Sequence, residues 1–129
     1  MGQSYRELIA WKKARALVTE IYKSTETFPS REQYGLTSQI RRAAVSVTSN
    51  IAEGQARHSQ KEFKQFLSHA RGSLAEVETQ IILAQDLKFL SAPEGTRLLE
   101  LTAELGRILN ALIAAIKLRA EGQNPRTEN

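Results

Sequence analysis

The sequence predicts an all-α fold, an antiparallel up-down-up-down four-helix bundle. Three observations carry that prediction. Apolar residues recur at spacings of three and four along almost the whole 129-residue chain, and no segment alternates with the period of two that a half-buried strand needs. The periodic stretches number four, separated by short breaks that carry Gly, Pro or Ser. Helices this long, joined by only a few residues, must run antiparallel to their neighbours.

Helix one is expected over residues 5–25, burying Leu8, Trp11, Ala14, Val18, Ile21 and Tyr22. It stops before Phe28-Pro29, because a residue preceding proline is pushed out of the α region. Helix two is expected to open on Ser30 as N-cap with Gln33 at N3, a capping box, and to end at Gly54 as the left-handed residue past its last turn. Gly35 weakens its first turns, and a start near Leu36 is the alternative.

A second capping box, Ser59 with Glu62, opens helix three. It runs to residue 88 through Phe63, Phe66, Leu67, Ala70, Leu74, Val77, Ile81 and Ala84. Phe89-Leu90 leads into a turn. Helix four starts near Pro93, tolerated in a first turn, and continues to Ala120 on Leu98, Leu101, Leu105, Ile108, Leu109, Leu112 and Ile116. Residues 1–120 thus read as one bundle domain, and the polar residues 121–129 as a flexible C-terminal tail. At about 1.5 Å per residue the helices are roughly 30–45 Å long, so the body is a rod.

Composition narrows the function classes. There is no cysteine, which excludes disulfides, thiol catalysis and cysteine zinc sites and suits a reducing cytoplasm. No signal peptide is expected from the polar, charged N-terminal residues, and Arg6 stands where a myristoylation start would carry Ser or Thr. The longest apolar run, residues 111–116, is far short of the roughly 20 residues of a membrane span, so a cytoplasmic protein without a membrane partner is expected. The net charge is +4, and all of the excess lies in residues 1–57, with nine Lys/Arg against five Asp/Glu; the rest holds nine of each. A basic half of this kind suits an anionic partner, of which nucleic acid is the commonest.

Catalytic constellations are missing. A di-iron bundle needs Glu-x-x-His on two helices, but Gln55 and Phe66 stand three residues before His58 and His69. Ser46 and Ser49 have no neighbouring histidine, Ser30 and Ser59 are explained as caps, and Gly54, Gly72 and Gly106 are isolated rather than part of a phosphate loop. Glu76 and Glu78 point to different faces of one helix, whereas Arg71 and Glu78 share a side. No enzyme activity, cofactor or metal is expected.

Two kinds of binding surface remain. Lys12 and Lys23 share one strip of helix one, Arg6 and Lys13 another; Arg41 lies on the outward side of helix two and Arg57 in the loop after it. Long cations grip phosphates without reading bases. Trp11, Phe63 and Phe66 fall in the core pattern, so any binding is expected to be backbone-dominated and salt-sensitive. The alternative is an ordinary solvated helix face.

The second kind suits self-association. Gln39, Arg42, Ser46, Asn50 and Glu53 form a hydrogen-bonding stripe beside the apolar face of helix two, set by Ile40, Ala43, Ala44, Val47 and Ile51. Arg42 is placed to pair with Glu53 or its neighbours across a subunit boundary. On the far side of helix three, Ser68, Gly72, Ala75, Thr79 and Leu83 would let another backbone approach closely. Leu99, Thr102, Gly106 and Ile113 widen the apolar arc of helix four. The alternative is that inner bundle helices simply carry broad apolar faces.

The chain resembles the four-helix-bundle proteins encoded in intervening sequences of bacterial 23S rRNA genes. The resemblance rests on Leu8-x-x-Trp11-x-x-Ala14, Phe28-Pro29 followed by Tyr34-Gly35-Leu36, the whole of residues 39–54, Phe66-Leu67, Arg71-Gly72-Ser73-Leu74 and Glu76-x-Glu78. It spans residues 5–90, and helix four matches only as a generic amphipathic helix. Family members often carry proline where this chain has Thr48, so helix two is expected without that kink. The resemblance implies a compact bundle assembling as a ring-like homopentamer. It also implies a relation to the accessory variability determinants of diversity-generating retroelements, which form basic pentameric barrels that bind a reverse transcriptase and nucleic acid. Carried across, the Gln39–Arg42–Ser46–Asn50–Glu53 stripe is the family's central motif, assigned to subunit packing first and ligand contact second. Two readings follow: an oligomeric scaffold binding RNA or a ribonucleoprotein, or an adaptor for a nucleic-acid-processing protein without nucleic-acid contact of its own.

Overall fold

A computed structural model describes residues 4–122. Four α-helices follow one another: α1 (Ile9–Thr25), α2 (Leu36–Gln55), α3 (Gln60–Asp86) and α4 (Ala92–Gly122). Each packs against its two neighbours around a square, α1 on α2 and α4, α3 on α2 and α4; among the described residues the diagonal pairs make no close backbone contact. That is the up-down-up-down arrangement short loops enforce. Glu121 and Gly122 continue α4, so the part of the expected tail at residues 123–129 lies outside the described residues.

The core is a column of aliphatic side chains. Ile21, Ile40, Val47, Ile51, Leu67, Val77, Ile81, Leu105, Leu109 and Ile116 are fully or almost fully buried, each contributing about 1.5–3 kcal/mol relative to exposure. Helix one departs from its expected face. Its buried line is Ala10, Ala14, Leu17 and Ile21, whereas Leu8, Trp11 and Val18 only flank the core and Tyr22 is exposed. The cause is local. Tyr5–Glu7 form a separate 3₁₀ turn closed by a Ser4/Glu7 capping box, and Leu8 is extended, so α1 proper begins only at Ile9.

Helix two departs at both ends. Ser30–Glu32 is a 3₁₀ turn rather than the start of the helix, and the expected Ser30 cap is not made. The helix opens at Leu36, the alternative start, where the Glu32 carboxylate accepts from the Leu36 N–H at 3.0 Å. At the other end Gly54 is not a left-handed terminator. It lies buried inside the last turn, and the helix closes on Ala56. A β-carbon at Gly54 would fall 2.8 Å from Phe66 Cβ and 2.9 Å from Phe63 Cδ1, so this glycine permits α2 and α3 to approach closely.

Helix three is capped as its sequence implies, Ser59 Oγ accepting from the Glu62 N–H at 3.1 Å. It ends two residues early, because Lys88 takes the left-handed conformation (φ 65°) and the Phe89 N–H returns to the Ala84 carbonyl at 2.8 Å. Lys88 fills the role expected of a glycine. At this end of the bundle Arg97 of α4 bonds Glu94 and Glu20 at 2.8 Å each, and Ser24 of α1 hydrogen-bonds Glu94, tying α1 to α4.

Candidate nucleic-acid interface

Charge is distributed along the rod by end rather than by chain half. The chain entering α1, the α2–α3 turn and the last turns of α4 share one end, where Leu8, Arg57, His58, Phe63, Leu112 and Arg119 line a hollow of about 300 Å³. Residues 4–16, 53–65 and 108–122, which make this end, hold nine Lys/Arg against four Asp/Glu; the other described residues hold eight against nine. The basic excess is therefore polar in space. Part of it comes from Lys61, Lys64, Lys117 and Arg119, which a count by chain half sets against the carboxylates of α3 and α4.

The extended Leu8 decides what gathers there. It turns the preceding 3₁₀ turn so that Arg6 faces the first turns of α1 beside Lys12 and Arg15, not Lys13 as a continuous helix would have it. Arg6, Trp11, Lys12 and Arg15 line an open hollow of about 570 Å³. The Arg15 guanidinium lies over the Trp11 ring, 5.5 Å from its centroid, and Tyr5 meets the same ring edge-on at 5.3 Å and 69°. No carboxylate pairs with Arg6, Lys12 or Arg15 among the described residues.

The other cations of the sequence reading are differently placed. Lys13 is 3.3 Å from Glu104, Lys23 is 4.0 Å from Glu20, and Arg57 is 3.2 Å from Glu53 while lying over the Phe66 ring. Exposed pairs of this sort are weak, so they reduce local charge without removing the side chain from solvent. Arg41 is a correction. It does not point outward but folds back on α1, its Nε donating to Thr25 Oγ1 at 2.8 Å and its guanidinium 4.5 Å over the Tyr22 ring. Arg15 and the half-exposed Trp11 are the residues that periodicity missed. Their spacing of four in one helix was the available signal, since such residues are neighbours on its surface.

The polar stripe of α2 lies along the α2–α3 seam. Gln39, Arg42 and Ser46 face Glu76 and Gln80 across a groove of about 390 Å³. Part of the stripe is satisfied within the chain: Ser46 Oγ is 2.9 Å from Ser73 Oγ, and Asn50 Nδ2 donates to the Ser46 carbonyl at 2.8 Å. Gln80 Nε2 donates to Gln39 Oε1 at 3.5 Å, while the buried Gln80 Oε1 has no partner. Glu53 is engaged by Arg57, which leaves Arg42 exposed and unpaired among the described residues. Thr48 also keeps a buried hydroxyl without a partner, in a helix that runs unbroken through it.

On α3, Ser68, Gly72, Ala75 and Thr79 are exposed, as are the large apolar Ile82, Leu83 and Leu87. Nothing lies within 4 Å of a β-carbon built on Gly72. Arg71 and Glu78 share the α3–α4 groove with Ala103, Gly106 and Asn110, whereas Glu76 lies on the α2 side, as the helical spacing requires. Among the described residues no group of three or more His, Asp or Glu could hold a metal ion, and no helix is long and apolar enough to cross a membrane.

Residues 6–111 match the family described as 23S rRNA-intervening sequence protein. The fold is similar to the crystal structure of a protein of unknown function from the S23 ribosomal protein family of Bacteroides thetaiotaomicron. The two share 18% identity with a TM-score of 0.76, over 82% of this chain and 96% of the other. No curated protein matches the sequence.

Proposed function

We propose, from the premise that this chain belongs to the 23S rRNA-intervening sequence protein family, that it is a non-enzymatic homo-oligomeric scaffold whose basic end binds RNA or another nucleic acid. The observation that carries the reading is the concentration of cations at one end of the rod, with Arg6, Lys12 and Arg15 free of carboxylates. Unpaired cations on a rigid helix end attract a polyanion without a structural rearrangement, and the neutral remainder of the molecule does not compete. Homo-oligomerisation, as a pentamer by family resemblance, is supported by the open Gly72, by the exposed Ile82 and Leu83 about three turns further along α3, and by Arg42, exposed and without an ion pair among the described residues. Joining several copies would multiply the basic ends and raise avidity without new contacts.

The test is a salt titration. Affinity for a structured RNA, followed by anisotropy, should fall linearly in log K against log salt, by about 0.7–0.9 per phosphate engaged. Arg6→Glu, Lys12→Glu and Arg15→Glu together should abolish binding, whereas Lys23→Glu with Lys88→Glu at the far end should weaken it only slightly. Binding unchanged by the triple reversal, or none at low salt, refutes the reading. The adaptor reading has its own support in the exposed Leu83 and Leu87 at the less basic end. A nuclease-resistant protein partner co-purifying with the chain would favour it.

A further inference from the structure

We infer that the hollow framed by Arg6, Trp11, Lys12 and Arg15 is a single-strand site, where an unpaired base of a polynucleotide stacks against Trp11 and Arg15 while its flanking phosphates lie on the cations. This rests on the reading that the basic end binds nucleic acid, and it names the form of nucleic acid the end accepts.

The buried line of α1 is Ala10, Ala14, Leu17 and Ile21, and Trp11 packs against that core from its flank. It lies half-buried at the rim, its orientation fixed by Tyr5 at its edge and Arg15 over its face. An indole held this way has lost its freedom before a ligand arrives, which lowers the cost of ordering on binding. The guanidinium is itself planar and stacks on aromatic surfaces, so a base entering the hollow meets either the ring or the cation lying on it.

Size and charge agree with that occupant. At about 570 Å³ the hollow falls in the range of roughly 300–1,000 Å³ typical of small-molecule sites, enough for a nucleotide unit. Among the described residues no carboxylate pairs with its three cations, so a phosphodiester on either side of the base finds positive charge already in place. A duplex offers only its phosphates here, because its bases are stacked on one another and cannot reach the ring. An acidic peptide would use the cations and leave the aromatic surface idle. An aromatic surface set among unpaired cations therefore favours the single strand, with base stacking added to backbone contact.

The experiment uses the intact chain, whose single tryptophan makes its emission a report from this site alone. Titration with a short oligoadenylate should quench that emission, and oligoadenylate should bind more tightly than a hairpin duplex of equal charge at matched salt. Trp11→Leu should lower oligoadenylate affinity about five- to a hundredfold, the range seen for loss of one base–aromatic stack, with duplex affinity unchanged. Trp11→Phe should restore most of it. If duplex and single strand bind alike and emission does not move, the single-strand site is refuted while nucleic-acid binding stands. Absence of any polynucleotide binding at low salt refutes both. Quenching by polyglutamate equal to that by oligoadenylate also overturns the inference, in favour of an acidic polypeptide. The wild-type quench decides the matter even if Trp11→Leu fails to fold.

Discussion

Glu94 stands in the first turn of α4, where its carboxylate accepts hydrogen bonds from the Arg97 guanidinium and the Ser24 hydroxyl, and Arg97 reaches on to Glu20. These bonds, Arg97 foremost, hold the Glu94 carboxyl down from an ordinary 4.5 to about 2, and the same contacts raise the Arg97 pKa. A carboxyl with a lower pKa in the folded than in the unfolded chain stabilises the fold at pH values above its unfolded pKa. That contribution is lost as pH falls through the window between about 4.5 and about 2. The melting temperature of the wild type should therefore decline across this window more steeply than that of Glu94→Gln. At neutral pH the variant should be less stable by about 0.2–1 kcal/mol, since the pair is partly exposed and screened. Parallel melting curves for the two proteins between those pH values would show that the charge on Glu94 contributes nothing to the α1–α4 contact in solution. Arg41 makes a similar point about single side chains. A cation read as free for ligand is held against Tyr22 and Thr25, and its replacement should be felt in stability before it is felt in binding.

Gly54 carries the argument to the packing of two helices. An alanine there gains about 0.8–1 kcal/mol of helix propensity. Against that, its β-carbon would press on Phe63 and Phe66, whose positions are set by the start of α3. Overpacking of this kind costs about 1–3 kcal/mol, so Gly54→Ala should be net destabilising in chemical denaturation, and a neutral or stabilising result would mean that α2 and α3 part easily at this end. The same residue shows what the sequence could and could not disclose. Four helices, their order and most of the core lines of α2, α3 and α4 were legible, because burial of one face imposes its period on the chain. Whether a glycine ends a helix or lets a neighbour approach was not, since both uses leave the same letter in the same place. The face of α1 is legible only to within one position, since lines through Trp11 and Val18 and through Ala10 and Leu17 both fit the helical period, and the backbone break at Leu8 leaves no mark in the apolar spacing. That break also brings Arg6 beside Lys12 and Arg15, so the candidate site was legible as cations but not as a cluster. Trp11 fits the helical period yet flanks the buried line of Ala10, Ala14, Leu17 and Ile21, and spacing alone does not separate the two positions.

At the scale of the whole molecule the rod has one basic end and, along α3, a side on which Gly72, Ala75 and Thr79 lie exposed next to Ile82 and Leu83. In a single copy Gly72 is a liability, because glycine inside a helix is weak and its missing side chain makes room for nothing in the chain. Close approach by a second copy would give that room a purpose. The two accounts separate under one substitution. Gly72→Gln places a good helix former where the isolated chain is open, so at high dilution it should melt no lower than the wild type, with a gain of about 0.5–1 kcal/mol. At tens of micromolar the wild type should show a single multimeric mass by light scattering, and the variant should fall to one copy because the longer side chain holds the partner's backbone away. Charge then follows assembly: the multimer presents several basic ends together and should bind structured RNA with a steeper salt dependence than the dissociated variant, although each copy keeps Arg6, Lys12 and Arg15 intact. A wild type that remains monomeric at that concentration would remove the α3 face as an interface. A variant that stays multimeric would move the interface elsewhere on the surface, the groove where Arg42 lies unpaired against Glu76 and Gln80 being the next to test.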